Sequence, residues 1–230
     1  TGVQTCALPI SQRRVREAQA LRENLLRRKA QTRAREESVA AIEEVLAFWF
    51  GRPGEPDYGS MRERWFRRDD AFDAEIAARF GARVEAAAAG ALDDWAASPR
   101  GTLALLILLD QFPRNMYRGQ ARAFAADAHA RAIAGHAVDA GQDQALEPVE
   151  RVFVYLPFEH AECMPDQDRA VALFQSLPPS PWRDQTVEFA RRHRAAIHRF
   201  GRFPARNAAL GRASTPEEIE VLKTRSEEHT

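Results

Sequence analysis

Apolar residues recur at three- and four-residue spacing through residues 39–222, and nowhere do they alternate with polar ones as a half-buried strand requires. That spacing restricts the chain to helices. Ile76, Phe80 and Val84 recur every fourth residue in AFDAEIAARFGARVEAAAA, which Gly90 closes. The run LALLILL, residues 103–109, is apolar on every face, so its helix is expected at the centre of the fold. It is also the longest apolar run, and it falls far short of the roughly 18–20 residues a membrane-spanning helix needs.

Capping residues and breakers divide the pattern further. Ser38 is the expected N-cap of VAAIEEVLAFWF, which ends at Gly51. A Pro/Gly loop and a short helix over residues 61–68 come next, and Asp70 is expected to cap the helix closed by Gly90. Ser98 and Pro99 start the central helix, and Pro113 is expected to end it. A helix over residues 123–140 stops at Gly141. Pro148 opens a helix through VERVFVYLPFEHAECM, with a kink or break expected at Pro157. Two more helices are expected over residues 166–177 and 182–200, the second ended by Gly201. Thr215, Pro216 and Glu218 form the N-cap, N1 and N3 set of a closing helix. Helices joined by short connections predict an all-α, single-domain helical array or bundle with no sheet.

Charge excludes some partners. The chain has 33 basic and 33 acidic residues, so no global field directs it to nucleic acid or to an anionic membrane, and neither is an expected partner. Lys29 and Lys223 are the only lysines, a bias that GC-rich coding explains. Two cysteines, Cys6 and Cys163, cannot build a disulfide scaffold, so a reducing, cytoplasmic setting is expected.

The ends read differently from the rest. TGVQTCALPI and RSEEHT can be encoded by nearly complementary DNA read in opposite directions, as a translated sequencing adapter would be. Residues 1–10 and 223–230 are therefore set apart as an adapter-like tag and tail. Residues 11–38 carry nine basic and four acidic residues with a thin stripe of Leu21, Leu25 and Leu26. They read as a basic helical arm or an upstream extension, and residues 39–222 as the all-α domain.

Three segments set polar groups beside apolar runs: LLDQFPRNMYRG, YLPFEHAECMPDQ and HRAAIHRFGRFPARNAALGR. The first and third share a Phe-Pro element followed by an Arg–Asn pair. These pairs, Arg114 with Asn115 and Arg206 with Asn207, offer a guanidinium fork and a capping amide. Glu159 and Glu162 share a face if their helix persists. The HExxH spacing and Cys/His density of a zinc site are lacking, so no metal and no cofactor are expected. Cys163 has no CxxC partner, which argues against a catalytic thiol.

The pieces VLAFWFG, RWFRRDDAFD, LLILLDQFPRNMYRG, AFAADAHA, ERVFVYLPFEHAE, FGRFPARNAALGR and STPEE follow one another in that order. In them the chain resembles the bacterial family called domain of unknown function 924, over nearly all of residues 40–222. The resemblance implies a tetratricopeptide-like α/α array and no established activity. Family members often carry His where this chain has Ala205, so no catalytic role is assigned to that position.

The leading expectation is a binding module for a small anionic ligand or acidic peptide end, held by Asp110, Arg114, Asn115, Arg202, Arg206 and Asn207. Arg114, Arg202 and Arg206 would face one concavity. An enzyme in the same pocket is the rival, with Glu159, His160 and His193 as candidate catalytic groups and Glu159 or His160 as general base. A scaffold with a purely structural ion-pair network is the third. In every version Arg114 and Arg206 should each meet a carboxylate, Asp110 and Glu159 being the expected partners, with His160 or His193 close by.

Overall fold

The computed structural model describes residues 10–227, so that of the adapter-like ends residues 1–9 and 228–230 fall outside them. Helices and turns account for the fold, with no strand among the described residues. None of the described helices is long and apolar enough to cross a membrane. The chain divides into two units, one up to Ala41 and one from Ile42 onward.

Helix α1 runs Ile10–Phe50. Ser38 therefore lies inside a helix and caps nothing, because the residues before it are strong helix formers. Within the first unit Leu21, Leu25 and Leu26 are exposed.

The second unit is built around aromatic rings. Trp49 at the end of α1 stacks on Trp65 at 5.8 Å and meets Phe112 edge-on at 5.6 Å and Phe153 at 5.7 Å. The backbone then leaves the helix at Gly51 with φ +83°, a left-handed turn that favours glycine. No helix forms over residues 61–68. A 3-10 turn, Glu63–Trp65, stands there instead, because one anchor fixes the segment: Trp65 is buried and its Nε1 donates to the Trp49 carbonyl at 3.0 Å. Helix α2 is Asp70–Ala88, and its cap is Asp69, whose carboxylate accepts from Ala71 N and Phe72 N. Asp70 falls at the first helical position.

Ser98 and Pro99 open α3, Pro99–Leu106, as their cap geometry requires. Pro113 does not stop the helix. A π turn, Ile107–Gln111, precedes α4, Phe112–Met116, and Phe112 N donates to the Ile107 carbonyl. Proline offers no N–H to the preceding turn, and widening the helix by one residue absorbs the conflict while the buried run stays helical.

Helix α5, Asp127–Asp139, starts later than expected, after a 3-10 turn at Ala121–Phe124. Helix α6, Pro148–Glu159, opens with a capping box between Glu147 and Glu150 and keeps Pro157 in its last turn. It stops at Glu159, so Glu159 and Glu162 share no helix face. Helix α7, Met164–Gln175, packs against both α6 and α8, Arg183–Phe200. Gly201 turns the chain at φ +68°. Helix α9, Pro216–Glu227, has the expected cap: Thr215 Oγ1 accepts from Glu218 N and Glu218 Oε2 accepts from Thr215 N.

Candidate functional site

The end of α6, the π turn with α4, the Trp65 turn and α8 enclose a cleft of about 870 Å³. Each element brings a different chemistry. Trp65 and Phe66 form one wall. The proline-rich approach to α8 supplies Pro181 and Trp182, and α8 itself adds Phe189. The floor is polar, with Gln111, Arg114, Asn115, Glu159, His160 and His193. Gln167 fixes the floor's edge: its buried Nε2 donates to the carbonyls of Glu159 at 2.6 Å and Ala161 at 2.8 Å, closing the open end of α6.

The π turn delivers Asp110 to the base of this floor, fully buried. Nδ1 of His160 lies 2.8 Å and 3.0 Å from its two carboxylate oxygens, and Gln111 Nε2 donates to it as well. Arg114 Nη1 is 3.1 Å from Asp110 Oδ1. Burial pushes the Asp110 carboxyl up, but Arg114 and His160 outweigh it and hold it at about 2. Asp110 is therefore ionised near neutral pH and only accepts, so the shared proton belongs to His160 Nδ1. Burial, aided by the Arg114 charge, pulls the His160 pKa below its ordinary value against the opposing pull of Asp110. The result is a neutral imidazole whose Nε2 carries a lone pair and has no hydrogen-bond partner among the described residues, and that nitrogen is not sealed from solvent.

Arg114 is doubly engaged. Its two terminal nitrogens bind Asp127 bidentately, both at 3.0 Å, and Nη1 also donates to the Asp110 carbonyl at 2.7 Å. Arg206 reaches the same Asp127 at 3.1 Å, and the ring of Phe124 lies under both guanidinium groups. Arg206 pairs with neither of the expected carboxylates, Asp110 and Glu159. It meets Asp127 because the 3-10 turn Pro204–Arg206 approaches the start of α5, while Glu159 faces α8, with its Oε1 2.9 Å from His193 Nδ1. Oε2 of Glu159 is buried without a hydrogen-bond partner among the described residues.

The three-arginine cradle does not form. Arg202 pairs with Glu218 at 2.7 Å, away from the cleft, because the α9 cap holds that carboxylate beside it. Asn207 donates to Ser214 Oγ at 3.0 Å and accepts from Arg212 Nε at 3.0 Å. Arg212 in turn holds Glu162 at 2.6 Å and 2.9 Å. These residues tie the chain after α8 to α9 and do not line the cleft. Asn115 does line it, and its amide is fixed by Asp73 at 2.7 Å. Ala205 is exposed and outside the lining.

Sequence reasoning missed Asp127, Gln111 and Gln167. Asp127 sits inside the AFAADAHA piece, where its place in the first turn of a helix gives a sufficient local reason for an acid. Among the described residues no three His, Cys, Asp or Glu side chains are grouped to hold a metal ion.

Comparison with known proteins agrees with the motif reading. The model of a family described as bacterial protein of unknown function (DUF924) matches residues 45–226. The solved structure of a protein of unknown function from Agrobacterium tumefaciens is similar, with a TM-score of 0.72 and 41% identity over 81% of this chain and 99% of that one. No curated protein matches.

Proposed function

The chain belongs to the DUF924 family of bacterial proteins of unknown function, and from that premise we propose that its cleft binds a small molecule with an apolar body and a polar head. One observation carries this reading: aromatic rings line about 870 Å³ of cleft above a polar floor that holds Arg114, Glu159, His160 and His193. Small-molecule sites have this composition and run from roughly 300 to 1,000 Å³. Phe66 and Phe189, at the walls, are 59% and 47% exposed. Rings left open in this way gain burial when a ligand covers them.

The arginine content suggested an anionic ligand. Arg114, Arg202 and Arg206 are each paired with a carboxylate, so none of the three is free to hold an anion, which favours a neutral head beside Arg114. A cytoplasmic setting and the tetratricopeptide-like stacking implied by the family belong to the same proposal.

Titration with the neutral dye N-phenyl-1-naphthylamine tests it. Fluorescence should rise with one-to-one stoichiometry. Phe66→Ala and Phe189→Ala should each weaken binding several-fold without lowering stability, since both side chains are largely exposed. No binding, or binding that neither substitution alters, contradicts the proposal.

A second reading has its own observation. Asp110 fixes the His160 tautomer and leaves Nε2 as an acceptor, the arrangement a general base needs. It ranks second because Arg114, the nearest candidate for stabilising negative charge, is bound to two carboxylates. Hydrolysis of 4-nitrophenyl acetate above the buffer rate, lost in His160→Phe, would support it, whereas a rate equal to buffer would contradict it.

A further inference from the structure

The head group can be specified further, on the premise that the cleft binds a small molecule. We propose that the cleft selects a ligand with a neutral hydroxyl head, read by a hydrogen bond donated to His160 Nε2. Asp110 is the positioning residue. Because its carboxylate takes the Nδ1 proton, the opposite ring nitrogen can only accept. This acceptor stands on the cleft floor beside Glu159, and the aromatic walls approach it from above.

Other heads fit this acceptor less well. A carboxylate or phosphate head would set its lone pairs against the Nε2 lone pair and the neighbouring Glu159, and Arg114 beside them is already bound to Asp110 and Asp127. An ammonium head could also donate to Nε2 and would be attracted by the rings, so displacement of the dye by 2-naphthylmethylammonium at a lower concentration than 2-naphthol would overturn the choice of a hydroxyl. An ether or hydrocarbon head of equal size would leave Nε2 unpaired and desolvated.

Three naphthalenes of nearly equal body test this through displacement of N-phenyl-1-naphthylamine near neutral pH: 2-naphthol, 2-methoxynaphthalene and 2-naphthoate. The alcohol should displace the dye at about three- to tenfold lower concentration than the methyl ether, as one net hydrogen bond predicts. The carboxylate should be weakest. In His160→Phe the alcohol and ether should become equal. Should that variant not fold, long-range nitrogen–proton NMR of the unaltered protein reads the tautomer directly: a protonated Nδ1 and a bare Nε2, shifted by 2-naphthol, are expected. Equal displacement by all three compounds, or a protonated Nε2, overturns the inference while the binding reading stands. If none of the three displaces a dye that does bind in the cleft, the inference fails, and if the dye itself does not bind, the binding reading fails with it.

Discussion

His160 Nδ1 lies 2.8 Å from Asp110 Oδ1, a contact between the end of α6 and the π turn across fifty residues of chain. It joins the two segments by a polar contact, and it sets the chemistry of the floor. Two deviations from plain helix geometry make the contact. The π turn delivers Asp110, and α6 stops where His160 can turn toward it.

Stability should therefore decline on mild acidification. The folded state holds His160 neutral: burial and Arg114 lower its pKa, against the opposing pull of Asp110 and Glu159. The unfolded histidine takes its proton near the ordinary value of 6.5. As pH falls through that value the unfolded state takes up a proton that the folded state does not, so the stability present above it is progressively lost below it. Urea unfolding at several pH values should show this slope, and His160→Phe should flatten it. An identical slope in both proteins would contradict the assignment.

Arg114 should matter more than Arg206. Arg114→Met strands the buried Asp110 charge and should cost about 3–5 kcal/mol. Arg206→Met leaves Asp127 still held bidentately by Arg114, so it should cost about 1–3 kcal/mol. Denaturant unfolding of the two variants checks the order, and equal losses would contradict it.

Thr215→Ala removes the hydroxyl that caps α9 and should cost about 1 kcal/mol, within the usual range for a lost N-cap. The change is read as a lower denaturant midpoint with an unaltered slope.

Features decided by neighbouring residues were legible in the sequence. Ser98 with Pro99, and Thr215 with Glu218, form the caps their spacing predicts, because a cap is satisfied within one turn. The burial of the LALLILL run at the centre of the fold also follows from pattern. What escaped depends on competition at long range. Pro113 reads as a terminator, and only the surrounding buried run explains a π turn there. Asp70 reads as the cap of α2, and the fold uses Asp69. Of the candidate site, Asp110, Arg114, Asn115, Glu159, His160 and His193 lie at the cleft floor or directly beneath it, while Arg202, Arg206 and Asn207 do not line it. Which carboxylate an arginine meets is set by where helices cross, and Asp127 carried no local sign of its two partners.

A crystal structure with 2-naphthol bound tests the central claim most directly. The account predicts the rings between the Trp65–Phe66 wall and the Trp182–Phe189 wall, and the hydroxyl about 2.7–3.0 Å from His160 Nε2. A ligand seated elsewhere on the protein, or in the cleft with its hydroxyl turned away from His160, would contradict it.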